Sequence, residues 1–174
     1  MLKFTPNIAR RTLEILNKTL EDYRERAILI CQDKEEQFVD KGLIGSGMGI
    51  HYPEGWHTCS RGKPVATIHT THLNTFSIRD LKYAGRMFMK FDNFTTCIAY
   101  RSKDGKILDC LTHNDTASKA HEEYLNQKQE EIIKQKRGLY SILPTEISYL
   151  DRLHIKRHKY ILRERDRYIV NYKY

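Results

Sequence analysis

The stretch from Pro64 to Phe91 constrains this chain more than any other, because it hands a strand over to a helix within a few residues. Val65 to His69 is β-branched and apolar apart from Thr67, the composition of a buried strand. From Ser77 onwards Leu81, Ala84, Phe88 and Phe91 recur at the spacing of one helix face. Between the two lie His69, His72 and Asp80, the one dense set of candidate metal ligands in the sequence. A junction of this kind presents side chains at the edge of a sheet, where a metal can be held with one position open to solvent.

The flanking segments supply the rest of a sheet and a second helix. Thr5-Pro6 is a cap followed by proline at the first helical position, and Ile8, Leu13, Leu16, Leu20 and Tyr23 line one face of the helix that follows. Ala27 to Cys31 is short and wholly apolar, as a buried strand should be, and Gln32 to Glu36 forms a turn. The glycines at 42, 45, 47 and 49 are not a phosphate loop. Ile50-His51-Tyr52-Pro53 follows them, reading as strand and turn, in place of Lys-Ser/Thr and a helix. Residues 57 to 63 form a polar loop. Beyond the central helix, Thr95 to Tyr100 and Lys106 to Leu111 flank Lys103-Asp104-Gly105, a hairpin signal, so the sheet is expected to end near residue 112.

After that the composition changes. Thr116 to Arg137 is charged and helical in pattern, stopped by Gly138, and another helix is expected to start near Pro144-Thr145. The fold predicted is therefore α+β: residues 1–112 form a mixed sheet flanked by helices, and residues 113–174 a basic, mainly helical extension. The chain carries 30 Lys and Arg against 22 Asp and Glu, and the last 24 residues hold eight of the former and three of the latter. Tyr160, Tyr168, Tyr172 and Tyr174 are interleaved with those charges, a composition that can bind a nucleic-acid backbone and stack bases. Apolar Leu153, Ile161, Ile169 and Val170 favour a different use, docking of the tail onto the domain or a second copy of it. Residues 151–174 are expected to be dispensable for folding of the first part, although a docked tail would lower the melting temperature or dissociate an oligomer when removed.

No run of about 18 apolar residues is present to span a membrane, and the N-terminal residues lack the apolar core of a secretory signal, so a cytoplasmic protein with no membrane partner is expected. The four cysteines, at 31, 59, 97 and 110, show no CxxC pairing and sit mostly in apolar surroundings, which suits reduced, buried thiols.

A zinc hydrolase needs about three His or carboxylate ligands, an open fourth position, and a carboxylate to take a proton from water. Glu25, His69, His72 and Asp80 supply those types. The same residues also have a purely structural reading: Ser77-Ile78-Arg79-Asp80 is a capping box, and the two histidines are ordinary hydrogen-bonded polar groups.

An apolar strand begun by Glu25, a later strand ending in a His-Thr-His-like group, and Ser-x-x-Asp opening a helix resemble, in that order, the JAMM (JAB/MPN) metallopeptidase domain of archaeal and bacterial type. The initial helix, the Lys63 to Ile68 run and the Cys97-Ile98-Ala99 to Leu108-Asp109-Cys110 hairpin agree, so the resemblance covers residues 5 to 112. It implies a zinc-dependent isopeptidase or peptidase acting on ubiquitin-like or peptide substrates. Glu25 would be the general base, Ser77 would steady the oxyanion, and two histidines with Asp80 would bind zinc.

The chain departs from the family's His-x-His-Pro, having His69-Thr70-Thr71-His72-Leu73 instead. On a regular strand His69 and His72 point to opposite sides unless a bulge or turn intervenes. In one register a residue is inserted and both histidines are ligands. In the other, His69 takes the second histidine's place and Thr67 the first, which leaves a catalytically inactive scaffold that binds a protein or nucleic-acid partner through its basic extension. Recruitment of His57 or Cys59 from the preceding loop is a third arrangement.

Overall fold

The structure, a computed structural model, describes residues 2–46, 49–113, 155–163 and 169–172. Its first helix, α1 (Pro6–Asp22), begins where the sequence says it should: the Thr5 hydroxyl accepts the Ile8 N–H at 3.2 Å and Pro6 needs no donor there. It ends at Tyr23, a left-handed residue with φ 60° whose N–H caps the Thr19 carbonyl at 2.9 Å. Strands β1 (Arg26–Asp33) and β2 (Glu36–Ile44) form a hairpin. Then come β3 (Lys63–Thr70), α2 (Ile78–Lys90), β4 (Thr95–Ser102) and β5 (Gly105–His113).

The seven strands among the described residues lie in the order β2-β1-β3-β4-β5-β6-β7, where β6 is Ile155–Leu162 and β7 is Ile169–Tyr172. Only β3 and β4 run parallel, because α2 carries the chain back to the start of the sheet between them; the other neighbours are antiparallel. The fold is thus α+β with a mixed sheet and two helices among the described residues. Successive strand residues face opposite ways, which divides the core in two. On one side α1 buries Ile8, Leu13 and Leu16 against Ile28, Ile30, Ala66, Ile68, Cys97 and Leu108. On the other, Leu81, Ala84, Met87 and Phe88 of α2 cover Ile98, Tyr100, Ile107 and Leu111. Covered on both faces, β1 reads as a continuous apolar run rather than an alternating one.

Three expectations change. The sheet does not end near residue 112: β6 pairs with β5 over its whole length and β7 with β6, so the sheet crosses the boundary drawn there. Where the extension is described, at 155–162 and 169–172, it is strand, while the helices expected over Thr116–Arg137 and near Pro144 lie outside the described residues. Leu162 is buried with the α1 side of the core and Ile161 packs on the α2 side. Arg157 forms a two-pronged ion pair with the fully buried Asp109, Nε to Oδ1 at 3.0 Å and a terminal nitrogen to Oδ2 at 2.7 Å. Part of the extension is therefore built into the domain.

The cysteines are paired, Cys31 with Cys59 and Cys97 with Cys110, and are not reduced thiols. Cys97 and Cys110 are directly opposite on β4 and β5 with Cα atoms 4.1 Å apart. Finally, residues 50–53 form no strand. They belong to an irregular loop in which Ile50 and Tyr52 pack against Trp56, and its return to β3 turns at Gly62, φ 73°, where any Cβ would run into the backbone of Gln32.

Candidate functional site

The site is built where α1, β1, β3 and α2 meet. Thr19 of α1 and Thr70 of β3 share a hydrogen bond at 2.7 Å, and the Arg26 N–H donates to the Thr70 hydroxyl at 2.8 Å. The Arg26 guanidinium turns back to Asp22 at 2.8 Å, holding the Asp22 carboxyl well below its usual range. This latch fixes Glu25 just ahead of β1, where its carbonyl accepts the Gly45 N–H at 2.8 Å.

Asp80 arrives through the capping box that the sequence announces. The Ser77 hydroxyl accepts the Asp80 N–H at 3.1 Å, and Asp80 Oδ2 accepts the Ser77 N–H at 2.8 Å. Its other oxygen, Oδ1, meets His69 Nε2 at 2.9 Å, with both side chains nearly enclosed at 12% and 15% exposure. Burial alone would lower the His69 pKa, but Asp80 and Glu25 outweigh it and raise it. For Asp80 burial pushes upward and is overcome by His69 and Ser77, so its pKa falls. The two form an ion pair. Half-buried Glu25 is shifted the other way: burial and the charge of Asp80 raise its carboxyl, against His69, His72 and Thr71.

β3 stops at Thr70, and the Thr71 N–H is taken by the Ala99 carbonyl at 3.0 Å. The following loop turns His72 outward, where it is exposed and stacks on the ring of Tyr23 with centroids 5.3 Å apart. Thr67 and His69, two apart on β3, share the face that looks at α2. The geometry thus joins Glu25, His69, Asp80 and Ser77, sets His72 at the rim beside Glu25, and leaves Thr67 next along the strand from His69.

Sequence reading missed what surrounds Thr67. The Tyr83 hydroxyl donates to Thr67 Oγ1 at 3.2 Å and lies 2.6 Å from His57 Nε2. Tyr52 stacks on Tyr83 at 4.9 Å, its buried hydroxyl set against that of Tyr83 without the geometry of a hydrogen bond. Burial, helped by Lys90 and Lys41, lowers the His57 pKa to about 4. One signal was available for Tyr83: it lies three residues after Asp80, hence on the same helix face. Nothing local points to Tyr52 or His57. Cys59 is committed to its disulfide.

As a metal site the set fits in chemistry and partly in position. A histidine and a carboxylate stand together in place, and buried His69 Nδ1 has no hydrogen-bond partner, which leaves half of that imidazole's polar capacity for something else. Among the described residues, however, no three of His, Cys, Asp and Glu gather closely enough to hold a metal ion, and His72 stacks on Tyr23. No protein-family model matches the sequence, and no curated protein matches it. No described helix is long and apolar enough to cross a membrane.

Proposed function

We propose that the chain is a JAMM-like, zinc-dependent isopeptidase or peptidase acting on ubiquitin-like or peptide substrates in the cytoplasm. The observation that carries this reading is the hydrogen-bonded group of His69, Asp80 and Ser77, with Glu25 from a third element near enough to feel the charges of His69 and Asp80. His69 and Asp80 would hold the metal, with His72 as third ligand on the loop between β3 and α2. Zinc, when bound, supplies a Lewis acid that acidifies water and polarises a carbonyl. Glu25, its pKa raised by burial, is suited to accept a proton from the attacking water and return it to the leaving amine. The Ser77 hydroxyl sits beside Asp80, ready to donate to a developing oxyanion. Two disulfides are uncommon in cytoplasmic proteins outside hyperthermophiles.

A second reading draws on Thr67, whose hydroxyl is tied to Tyr83 in the position next to His69. It makes the domain an inactive MPN-like scaffold that meets a protein or nucleic acid through the basic extension. Metal analysis of the purified protein, wild type beside His69→Ala, decides between them. One zinc per chain, lost in the variant, supports the enzyme; negligible metal in wild type after growth in zinc supports the scaffold.

A further inference from the structure

We propose that the Cys31–Cys59 disulfide is a thiol-exchange site through which a dithiol reductant releases the loop of residues 49–62 from the wall of the candidate site. The two disulfides differ in what a reductant can reach. Cys97 and Cys110 are both buried, at 1% and 2% exposure, and sit on the α1 side of the sheet. Cys31 is fully buried in the middle of β1, but Cys59 lies on the loop and is partly exposed. Exchange therefore begins at Cys59. A reductant thiolate attacks its Sγ, the S–S bond breaks, and Cys31 leaves as a thiolate that takes up a proton. The reductant's second thiolate then attacks the mixed disulfide, expelling Cys59 as a thiolate that is protonated in turn. The protein disulfide gains two electrons and two protons, and the dithiol leaves as a disulfide.

What the bond holds gives the step its consequence. Among the described residues the loop contains no helix or strand, so few backbone ladders hold it. Its attachments include the disulfide, Lys41 Nζ on the Thr58 carbonyl at 2.6 Å, the Asp40 carboxylate on Ser60, the exposed ion pairs of Arg61 with Asp33 and Glu36, and the packing of Trp56 against Ala27, Leu29 and Cys31. Through Tyr52 and His57 the same loop reaches Tyr83, whose hydroxyl bonds Thr67 beside His69. Cutting the bond removes the covalent cross-link between this aromatic wall and β1 under it, leaving the loop joined to the sheet through its two backbone ends. The inference is independent of whether the site binds zinc.

Trp56 is the sole tryptophan of the chain and is 8% exposed, so its fluorescence reports the loop directly. The native protein, purified without reductant, should show no free thiol. Dithiothreitol at low concentration should release two thiols, identified by alkylation and mass spectrometry as Cys31 and Cys59. In the same step Trp56 emission should shift to longer wavelength and become more accessible to acrylamide. Cys59→Ser should show the shifted emission without reductant, and a circular-dichroism spectrum like wild type would establish that it folds. Four free thiols in untreated protein would overturn the proposal, as would simultaneous reduction of both bonds, or release of Cys31 and Cys59 with Trp56 unmoved.

Discussion

Replacing Arg157 with methionine should cost the folded state about 3–5 kcal/mol, the penalty for leaving one member of a buried ion pair alone. The structure puts this substitution at the severe end. Asp109 is fully buried, and of its three side-chain hydrogen bonds two go to Arg157, leaving Tyr100 at 3.3 Å as the remaining donor. Methionine keeps an apolar side chain of similar length but loses the guanidinium, both from Asp109 and from over the Phe76 ring. The loss would appear in urea denaturation followed by circular dichroism: with a slope of about 2 kcal/mol per molar, the midpoint should fall by about 2 M. The double variant Asp109→Leu/Arg157→Met should recover most of the loss, since an apolar pair of similar volume is commonly neutral or better. Removal of residues after Leu150 should be at least as damaging as Arg157→Met, because it also strips β6 from β5. A single variant within 1 kcal/mol of wild type, or a truncated chain that melts unchanged, would refute the reasoning and restore residues 151–174 as a dispensable tail.

Glu25→Gln should leave metal content and melting unchanged while reducing any peptidase activity about 100- to 10,000-fold, the usual contribution of a general base; undiminished turnover would place the base elsewhere. His57 has a folded pKa of about 4, below its ordinary value, so the fold binds fewer protons than the unfolded chain between those limits. Its contribution should be complete above about pH 6.5 and disappear as pH falls towards 4, seen as loosening of Trp56 fluorescence that His57→Gln abolishes. The His69–Asp80 pair has the opposite dependence on its basic side: the raised pKa of His69 contributes stability that is lost as pH climbs through it, and Asp80 contributes stability lost on acidification. Protection of the Ser77 and Asp80 amides against hydrogen exchange, taken relative to the intrinsic rate at each pH, should therefore be greatest at intermediate pH, and Asp80→Asn should flatten the profile. Thr5→Ala should cost about 1 kcal/mol through loss of the cap on α1, read from thermal denaturation.

The local rules written in the sequence determined the elements whose causes are local. Thr5-Pro6 starts α1, Ser77 with Asp80 starts α2, and Lys103-Asp104-Gly105 turns β4 into β5, because a cap or a turn is satisfied by residues within four positions of itself. Glu25, His69, Asp80 and Ser77 were legible as a group through their order's resemblance to a known domain, and locality alone gave only the Ser77–Asp80 capping box. Only tertiary structure decided the rest. His72 points at Tyr23 because β3 ends at Thr70 and not one residue later, a boundary set by the Thr19–Thr70–Arg26 latch across three elements. Tyr83 meets Thr67 from 16 positions away and His57 meets Tyr83 from 26, beyond the reach of any spacing rule. The basic stretch from Ile155 to Leu162 is a strand because β5 offers an open edge and Asp109 a buried charge to neutralise, and neither is visible from the stretch itself. Likewise the cysteines pair by register and loop closure, Cys97 across from Cys110 and Cys59 folded back onto Cys31, a matter of which backbone segments end up side by side.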